Sequence, residues 1–418
     1  MAMLKELTVY VNATPVGQFS AELQSDGHTT YRFIYHDKTS VNDLVSLTMP
    51  VENSEYPFNI FPPAFDMILP EGERRTRIQA FRKIVDTDPF SLLFFVGGNA
   101  INRVRFISKG NENIRIPVIP EPAIIKGCED GRSLFKELVN TFNENQGIAG
   151  VMPKILGRGQ AITGTISPSL SNDRSLSGSD YILKTSTEKY PFLGVNEYLS
   201  LNVYDKAGLD TPDVTMSEDG SLLLVKRFDI IDDSNSDVMN YKGFEEVASL
   251  MGETSESKYH RDYGSMISCL EDFIDADNPL DITIKLLKSL VLNWMIGNGD
   301  AHLKNFGVLY ESANNVSLSP FYDVICTKAY IPNDIPALAL SESYYSKSDW
   351  PEDQLKHFVS EFGSLNKKGT DDLFDECRQA VSESKEEINQ YRSHLPEFDE
   401  IGKRMYEIWQ SKLTANHI

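Results

Sequence analysis

No segment restricts the fold of this chain more than NWMIGNGDAHLKNFGVLY, residues 293–310. An apolar helix runs into Gly297 and Gly299, which break it and permit backbone conformations that other residues resist. Asp300, His302 and Asn305 follow at once, and the chain then returns to an apolar strand, FGVLY. Further on, LSPFYDVICT sets Asp323 just after another apolar run. A lone Asp or Asn in a glycine-rich loop is ordinarily a turn or cap residue. Polar side chains grouped between a buried helix and a buried strand are different, because burying them is costly unless something binds them.

The chain has 418 residues, 41% of them hydrophobic, enough to bury substantial cores. Its formal net charge of -21 opposes nucleic-acid phosphates over most of the surface, which argues against an autonomous DNA- or RNA-binding protein. Cys128, Cys269, Cys326 and Cys377 are far apart and form no C-x-x-C pair, a spacing that suits reduced, buried thiols. The beginning of the chain reads as a strand pair without an export signal, and no stretch approaches the roughly 18 apolar residues of a membrane span. The expected location is the cytoplasm.

Residues 1–50 alternate as strands do: LTVYV, a turn from Asn12 to Gly17, QFSAEL and TTYRFIYH. ILPEGERRTRIQAFRKIV and DPFSLLFFVGG read as helices and INRVRFI as a strand, giving a small α+β module over 1–110. The basic run ERRTRIQAFRK reads as a solvated helix face. GNENIRIPVIPEP reads as a linker. Over 125–240 a helix, SLFKELVNTFN, is followed by GIAGVMPKILGRG and a Ser/Gly/Thr-rich flap from Ala161 to Asp180. The strand YILKTS, the helix VNEYLSLNVYDKAG and the strand SLLLVKRFD complete a mixed lobe. Residues 241–418 read as mostly helical, with apolar residues at three- and four-residue spacing and acid-rich outer faces.

Phosphoryl transfer needs a carboxylate near the attacking hydroxyl, oxygen ligands for Mg²⁺ and positive charge on the phosphates. Asp300 and Asn305 are five residues apart, the offset of Asp and Asn in the protein-kinase catalytic loop. Asp323 then fills the place of the second, metal-bridging carboxylate. GIAGVMPK offers free backbone amides before Lys154 that can cradle phosphate oxygens. Lys184 lies among apolar neighbours on a strand, and Glu197 follows thirteen residues later on a helix. This spacing predicts a Lys184–Glu197 ion pair that aims the lysine at the phosphates of ATP. His302 has no second histidine at ligand spacing, so it is expected to shape the loop rather than bind zinc.

These residues resemble the HipA family of bacterial serine/threonine kinases, toxins of type II toxin–antitoxin pairs. ILPEGERR, DPFSLLFFVGGNAINRV, IAGVMPKIL, YILKTS, NEYLSLNVYDKAGL, KRFD, GNGDAHLKNFG and PFYDV occur in the family's order. The resemblance implies a two-lobed protein-kinase-like fold, class α+β, with a mixed N-lobe, a helical C-lobe and an extra N-terminal subdomain. It implies that Asp300 accepts the proton of the substrate hydroxyl and that Asn305 and Asp323 bind Mg²⁺. ATP would be held by Ala149, Gly150, Val151, Met152, Pro153 and Lys154, by Lys184, and by the hinge residues Lys226, Arg227 and Phe228. His302, Leu303, Lys304, Asn305, Tyr322 and Asp323 would complete that site. Family members phosphorylate a serine of an aminoacyl-tRNA synthetase, which halts translation and arrests growth. They are held by a helix-turn-helix antitoxin of HipB type, so DNA would be met only through that partner, and no membrane is involved.

Two positions depart from the family pattern. Gly147 stands where the family usually has an autophosphorylated serine, which moves the expectation to Thr163, Thr165, Ser167 or Ser169 of the flap. The hinge begins with Lys226, where some members have an acidic residue. A small-molecule phosphotransferase and a catalytically silent co-repressor module are the alternatives; the separate N-terminal module speaks against the first, the intact Asp300, Asn305, Asp323 and Lys184 against the second.

Overall fold

A two-residue turn at Asn12-Ala13, with Asn12 at φ +52°, starts the first sheet. The computed structural model describes residues 5–71, 75, 89–99, 102–108, 116–120, 122–142, 154–160, 170–171, 180–231, 240–274, 279–342 and 350–414. Strands β1 (Lys5–Val11), β2 (Thr14–Leu23), β3 (Thr29–Tyr35), β4 (Glu55–Phe58) and β5 (Val104–Ile107) form an antiparallel sheet in the order β4-β3-β2-β1-β5. Alternate residues face one core: Leu7, Val9 and Val11, then Phe19 and Ala21, then Tyr31, Phe33 and Tyr35. Helices α1 (Pro63–Asp66) and α2 (Pro89–Val96) close it, with the Phe19 ring 4.8 Å from Phe65 and 5.2 Å from Phe90. The turn is shorter than the one expected over Asn12 to Gly17. Gly17 lies inside β2, where a Cβ would meet Ile34 O at 2.4 Å, so this glycine serves strand approach rather than turning.

A second sheet follows: β6 (Ile116–Pro120), β7 (Lys154–Gln160), β8 (Leu170–Ser171), β9 (Asp180–Thr185), β10 (Val214–Met216) and β11 (Leu222–Lys226), ordered β10-β11-β9-β7-β6-β8. The expected Pro-rich linker thus contains a strand. Pro117 and Pro120 are tolerated there because β6 has only the two-residue β8 on its outer side. Helices α3 (Pro122–Lys126), α4 (Gly131–Phe142) and α5 (Leu193–Lys206) belong to this lobe. Ile125, Leu134 and Phe135 pack on Leu183, Leu222 and Leu224 of the sheet.

The short pair β12 (Ile230–Ile231) and β13 (Asn240–Tyr241) leads to a third sheet of β14 (Gly243–Glu246), β15 (Gly307–Ser312) and β16 (Asn315–Leu318). Strand β14 is absent from the helical expectation for this region. All four of its residues are buried, so it shows no alternation to read. The helical lobe comprises α6 (Val247–Leu250), α7 (Tyr263–Phe273), α8 (Pro279–Ile296), α9 (Glu352–Phe362), α10 (Lys367–His394) and α11 (Asp399–Leu413). Helix α8 is buried almost throughout its second half, while α10 shows the stripe Leu373, Phe374, Cys377, Ala380, Val381, Ser384 and Ile388. Each such leucine or phenylalanine contributes about 1.5–3 kcal/mol by leaving water.

The first module is bonded to the rest of the chain. Asn12 exchanges two hydrogen bonds with the backbone of Tyr241, at 3.2 and 2.9 Å. Glu245 accepts from Ser46 Oγ at 2.7 Å and from Leu47 N at 3.0 Å. The Arg103 guanidinium donates to Leu44 O and Glu311 O, both at 3.0 Å. Among the described residues the four cysteines form no disulfide, and no helix is long and apolar enough to cross a membrane.

Candidate active site

Helix α8 stops where Gly297 takes φ +75°, a conformation that favours glycine. Asn298 then folds back: its Oδ1 accepts from Asp300 N at 3.0 Å and its Nδ2 donates to Asn293 Oδ1 at 2.8 Å. Gly299 is needed for space, since a Cβ would lie 2.2 Å from Asp334 Oδ2. This scaffold presents Asp300, whose Oδ1 accepts from the Tyr259 hydroxyl at 2.8 Å. Its side chain is 53% exposed to the cavity. Even so its pKa lies above the usual carboxylate range: partial burial raises it, with help from Asp334 and Asp323, against the Tyr259 bond and Lys258.

Asn305 donates its amide to Asp300 O at 2.8 Å, which fixes the amide's orientation and leaves Oδ1 as the atom able to bind a cation. His302 Nδ1 accepts from Lys304 N at 3.3 Å. Burial, then Lys258, push the His302 pKa down to about 3, so the ring is neutral and shapes the loop. Leu303 is fully buried in the helical lobe's core, away from the cavity.

Asp323 has φ +52°, uncommon for a residue with a side chain. The helix α5 residue Asn196 clamps the segment that follows, accepting from Cys326 N at 2.7 Å and donating to Cys326 O at 3.0 Å. The Asp323 carboxylate is ion-paired with Lys184, whose Nζ also lies 2.5 Å from Glu197 Oε1. Burial alone would discharge Lys184, which is 3% exposed, but Asp323 and then Glu197 outweigh it and raise its pKa. Tyr322 donates its hydroxyl to Lys304 O at 2.8 Å, and its ring lies 5.8 Å from that of Phe228.

Asp300, His302, Lys304, Asn305, Tyr322 and Asp323 all line one cavity of about 560 Å³. Lys184 and Glu197 stand behind Asp323. Two expected hinge side chains go elsewhere. Lys226 points out to Asp213, 3.4 Å away. Arg227 is buried against Asp229 at 2.5 Å and Asp180 at 3.6 Å, under the Tyr241 ring, so its guanidinium is a structural ion-pair group. Ala149 to Pro153, Gly147, Thr163, Thr165, Ser167 and Ser169 lie outside the described residues; Lys154 opens β7 in register with Lys184.

Sequence reasoning missed Tyr259, Lys258, Glu71 and Asp334, all of which line the cavity. They sit in irregular segments with no periodicity to mark them. Asp323, Asn305 and Asp300 are among the oxygen donors that line the cavity, with a buried lysine alongside. Among the described residues no group of three or more His, Cys, Asp or Glu could cage a metal. Hard oxygen donors too few for a closed cage fit Mg²⁺, which keeps waters and takes ligands from bound phosphates.

Residues 146–385 match the family model described as HipA-like C-terminal domain, and residues 7–107 match the HipA N-terminal domain. The Sinorhizobium fredii protein named "Putative kinase Y4mE" is 24% identical over 389 residues, covering 91% of each chain. The Shewanella oneidensis "Serine/threonine-protein kinase toxin HipA" is 22% identical over 284 residues, 63% of this chain and 62% of that one. The structure of Shewanella oneidensis HipA with HipB and operator DNA superposes with a TM-score of 0.66 at 16% identity, covering 98% of this chain and 96% of that one. The fold is therefore two-lobed and kinase-like. The chain belongs to the HipA family.

Proposed function

We propose that this protein is an ATP-dependent serine/threonine protein kinase of toxin type, transferring the γ-phosphate of ATP to a protein serine. The observation that carries this reading is the convergence of Asp300, Asn305 and Asp323 on one cavity, with Lys184 held between Asp323 and Glu197. Asp300 accepts the proton of the attacking hydroxyl. Lys184 holds phosphate oxygens of the nucleotide, and Asn305 and Asp323 would hold Mg²⁺, which neutralises charge on those phosphates when bound. The loop Ala149 to Lys154 would cradle the phosphates. At the hinge, backbone groups of Lys226 to Phe228 with the Phe228 and Tyr322 rings would receive the adenine. His302 stays neutral and orders the catalytic loop.

The substrate this reading favours is a serine of an aminoacyl-tRNA synthetase, whose modification stops charging and arrests growth, the state called persistence. The partner is a helix-turn-helix antitoxin of HipB type; the structural neighbour is a complex with HipB and operator DNA. A net charge of -21 leaves DNA to that partner.

The test is to incubate purified protein with γ-labelled Mg-ATP and a bacterial lysate. A labelled protein band, absent with Asp300→Asn, is expected. Label only in small molecules would instead indicate a small-molecule phosphotransferase, and no transfer at all a silent co-repressor.

A further inference from the structure

Glu71 belongs to the N-terminal module, yet its side chain lines the catalytic cavity. Its Oε2 lies 2.8 Å from Lys258 Nζ and its Oε1 3.1 Å from Lys304 Nζ. Burial would raise its pKa, but Lys304 and Lys258 outweigh burial and hold it at about 2, so it is ionised at any working pH. A second module residue, Asp66, accepts from Ser255 N at 2.6 Å and Ser255 Oγ at 2.7 Å. Ser255 in turn accepts from Lys304 Nζ at 3.2 Å. The module thus grips both the catalytic loop and the segment that carries Lys258.

The two lysines differ in what their charge has left to do. Lys304 is 5% exposed and shared between Glu71 and Glu246, the latter at 2.9 Å. Lys258, among the described residues, has Glu71 as its one carboxylate partner and stands at the cavity wall that also carries Asp300, Asn305 and Asp323. Its carbonyl accepts from Leu303 N at 3.3 Å, which ties it to the catalytic loop. Lys184 lies behind Asp323, so it reaches the anion from one side only. A phosphoryl group in transfer spreads charge over its equatorial oxygens, and a preorganised cation beside the base stabilises that charge more than it stabilises the ground state.

We propose that Lys258 is a catalytic residue that binds the phosphoryl group in transfer and that Glu71 is its positioning residue, so that the N-terminal module completes the active site. The inference rests on the kinase reading above. Its test uses the full-length protein and two ligands, Mg-ADP and Mg-ADP with tetrafluoroaluminate, which mimics the phosphoryl group in transfer. Mg-ADP should bind wild type, Lys258→Met, Glu71→Gln and the double variant within about twofold, while the tetrafluoroaluminate complex weakens about 100-fold in Lys258→Met and about tenfold in Glu71→Gln. The double variant should be no weaker than Lys258→Met, and Lys258→Arg should recover most of the loss. Where Lys258→Met does not fold, Lys258→Gln carries the same expectation, because it keeps a bond to Glu71 without the charge. Equal binding of the mimic by wild type and the neutral Lys258 variant overturns the role of Lys258. Full additivity in the double variant overturns that of Glu71. Wild type that binds neither ligand removes the kinase reading itself, a distinguishable failure.

Discussion

The phenolic oxygen of Tyr259 lies 2.8 Å from Asp300 Oδ1, so the carboxylate assigned to take a proton already accepts one hydrogen bond. Burial and Asp300 raise the pKa of Tyr259, which keeps the hydroxyl protonated as the donor. The bond favours the ionised carboxylate. Tyr259→Phe should therefore raise the Asp300 pKa and move the acidic limb of the kcat/KM profile up by roughly half to one pH unit. Profiles of wild type and variant from pH 4 to 8 check this; an unmoved limb removes Tyr259 from the site's electrostatics.

Lys184→Met should destabilise the fold strongly, because it leaves the Glu197 carboxylate, 1% exposed, buried without its lysine. Breaking such a pair costs about 3 kcal/mol or more, and removing both charges costs less. Urea denaturation of Lys184→Met and of Lys184→Met/Glu197→Gln should show the double variant as the more stable. The reverse order would show that the pair is not coupled.

Arg227→Met distinguishes the role expected from sequence from the one found. Its guanidinium bonds Asp229 and faces Asp180, both buried, and that burial, opposed by Asp229, leaves it firmly charged. The variant should lose about 3–5 kcal/mol of stability. Its folded fraction should bind Mg-ATP with an unchanged Kd by calorimetry. A tenfold loss of affinity at unchanged stability would restore the guanidinium to the nucleotide site.

The contrast among these residues shows what local sequence carries. Lys184 and Glu197 lie on a regular strand and helix, so their thirteen-residue spacing translates directly into a pair. Asp300 and Asn305 sit in one short loop, where an offset of five reads as geometry. The family resemblance put Arg227 at the hinge; its ion-pair partner Asp180 meets it across the sheet from far away in sequence, so local sequence does not announce the structural role. Tyr259, Lys258 and Glu71 belong to irregular segments that tertiary packing delivers to the cavity, and no period announces them. Strand β6 was hidden by its two prolines, and β14 by burial of both faces.

His302 should make the fold acid-sensitive without entering the chemistry. Its pKa falls from the ordinary 6.5 to about 3 on folding. The unfolded chain therefore takes a proton that the folded one refuses, and stability is lost as pH falls through that window, by about 1.4 kcal/mol per unit. Burial holds Glu246 at about 7, which acts in the opposite sense between its ordinary value and 7, so the His302 contribution is read as a difference. From pH 7 to pH 5, wild type should lose about 2 kcal/mol relative to His302→Asn in urea denaturation. Parallel curves would mean that the imidazole is charged in the fold.

In the proposed kinase, Asp300 acts on the hydroxyl while other residues hold the nucleotide. The direct measurement pairs Mg-ATP calorimetry with γ-phosphate transfer to protein in wild type and Asp300→Asn. The expected result is a Kd within about threefold of wild type and a fall in transfer of at least about 100-fold. Transfer near the wild-type rate, with ATP still bound, would contradict it.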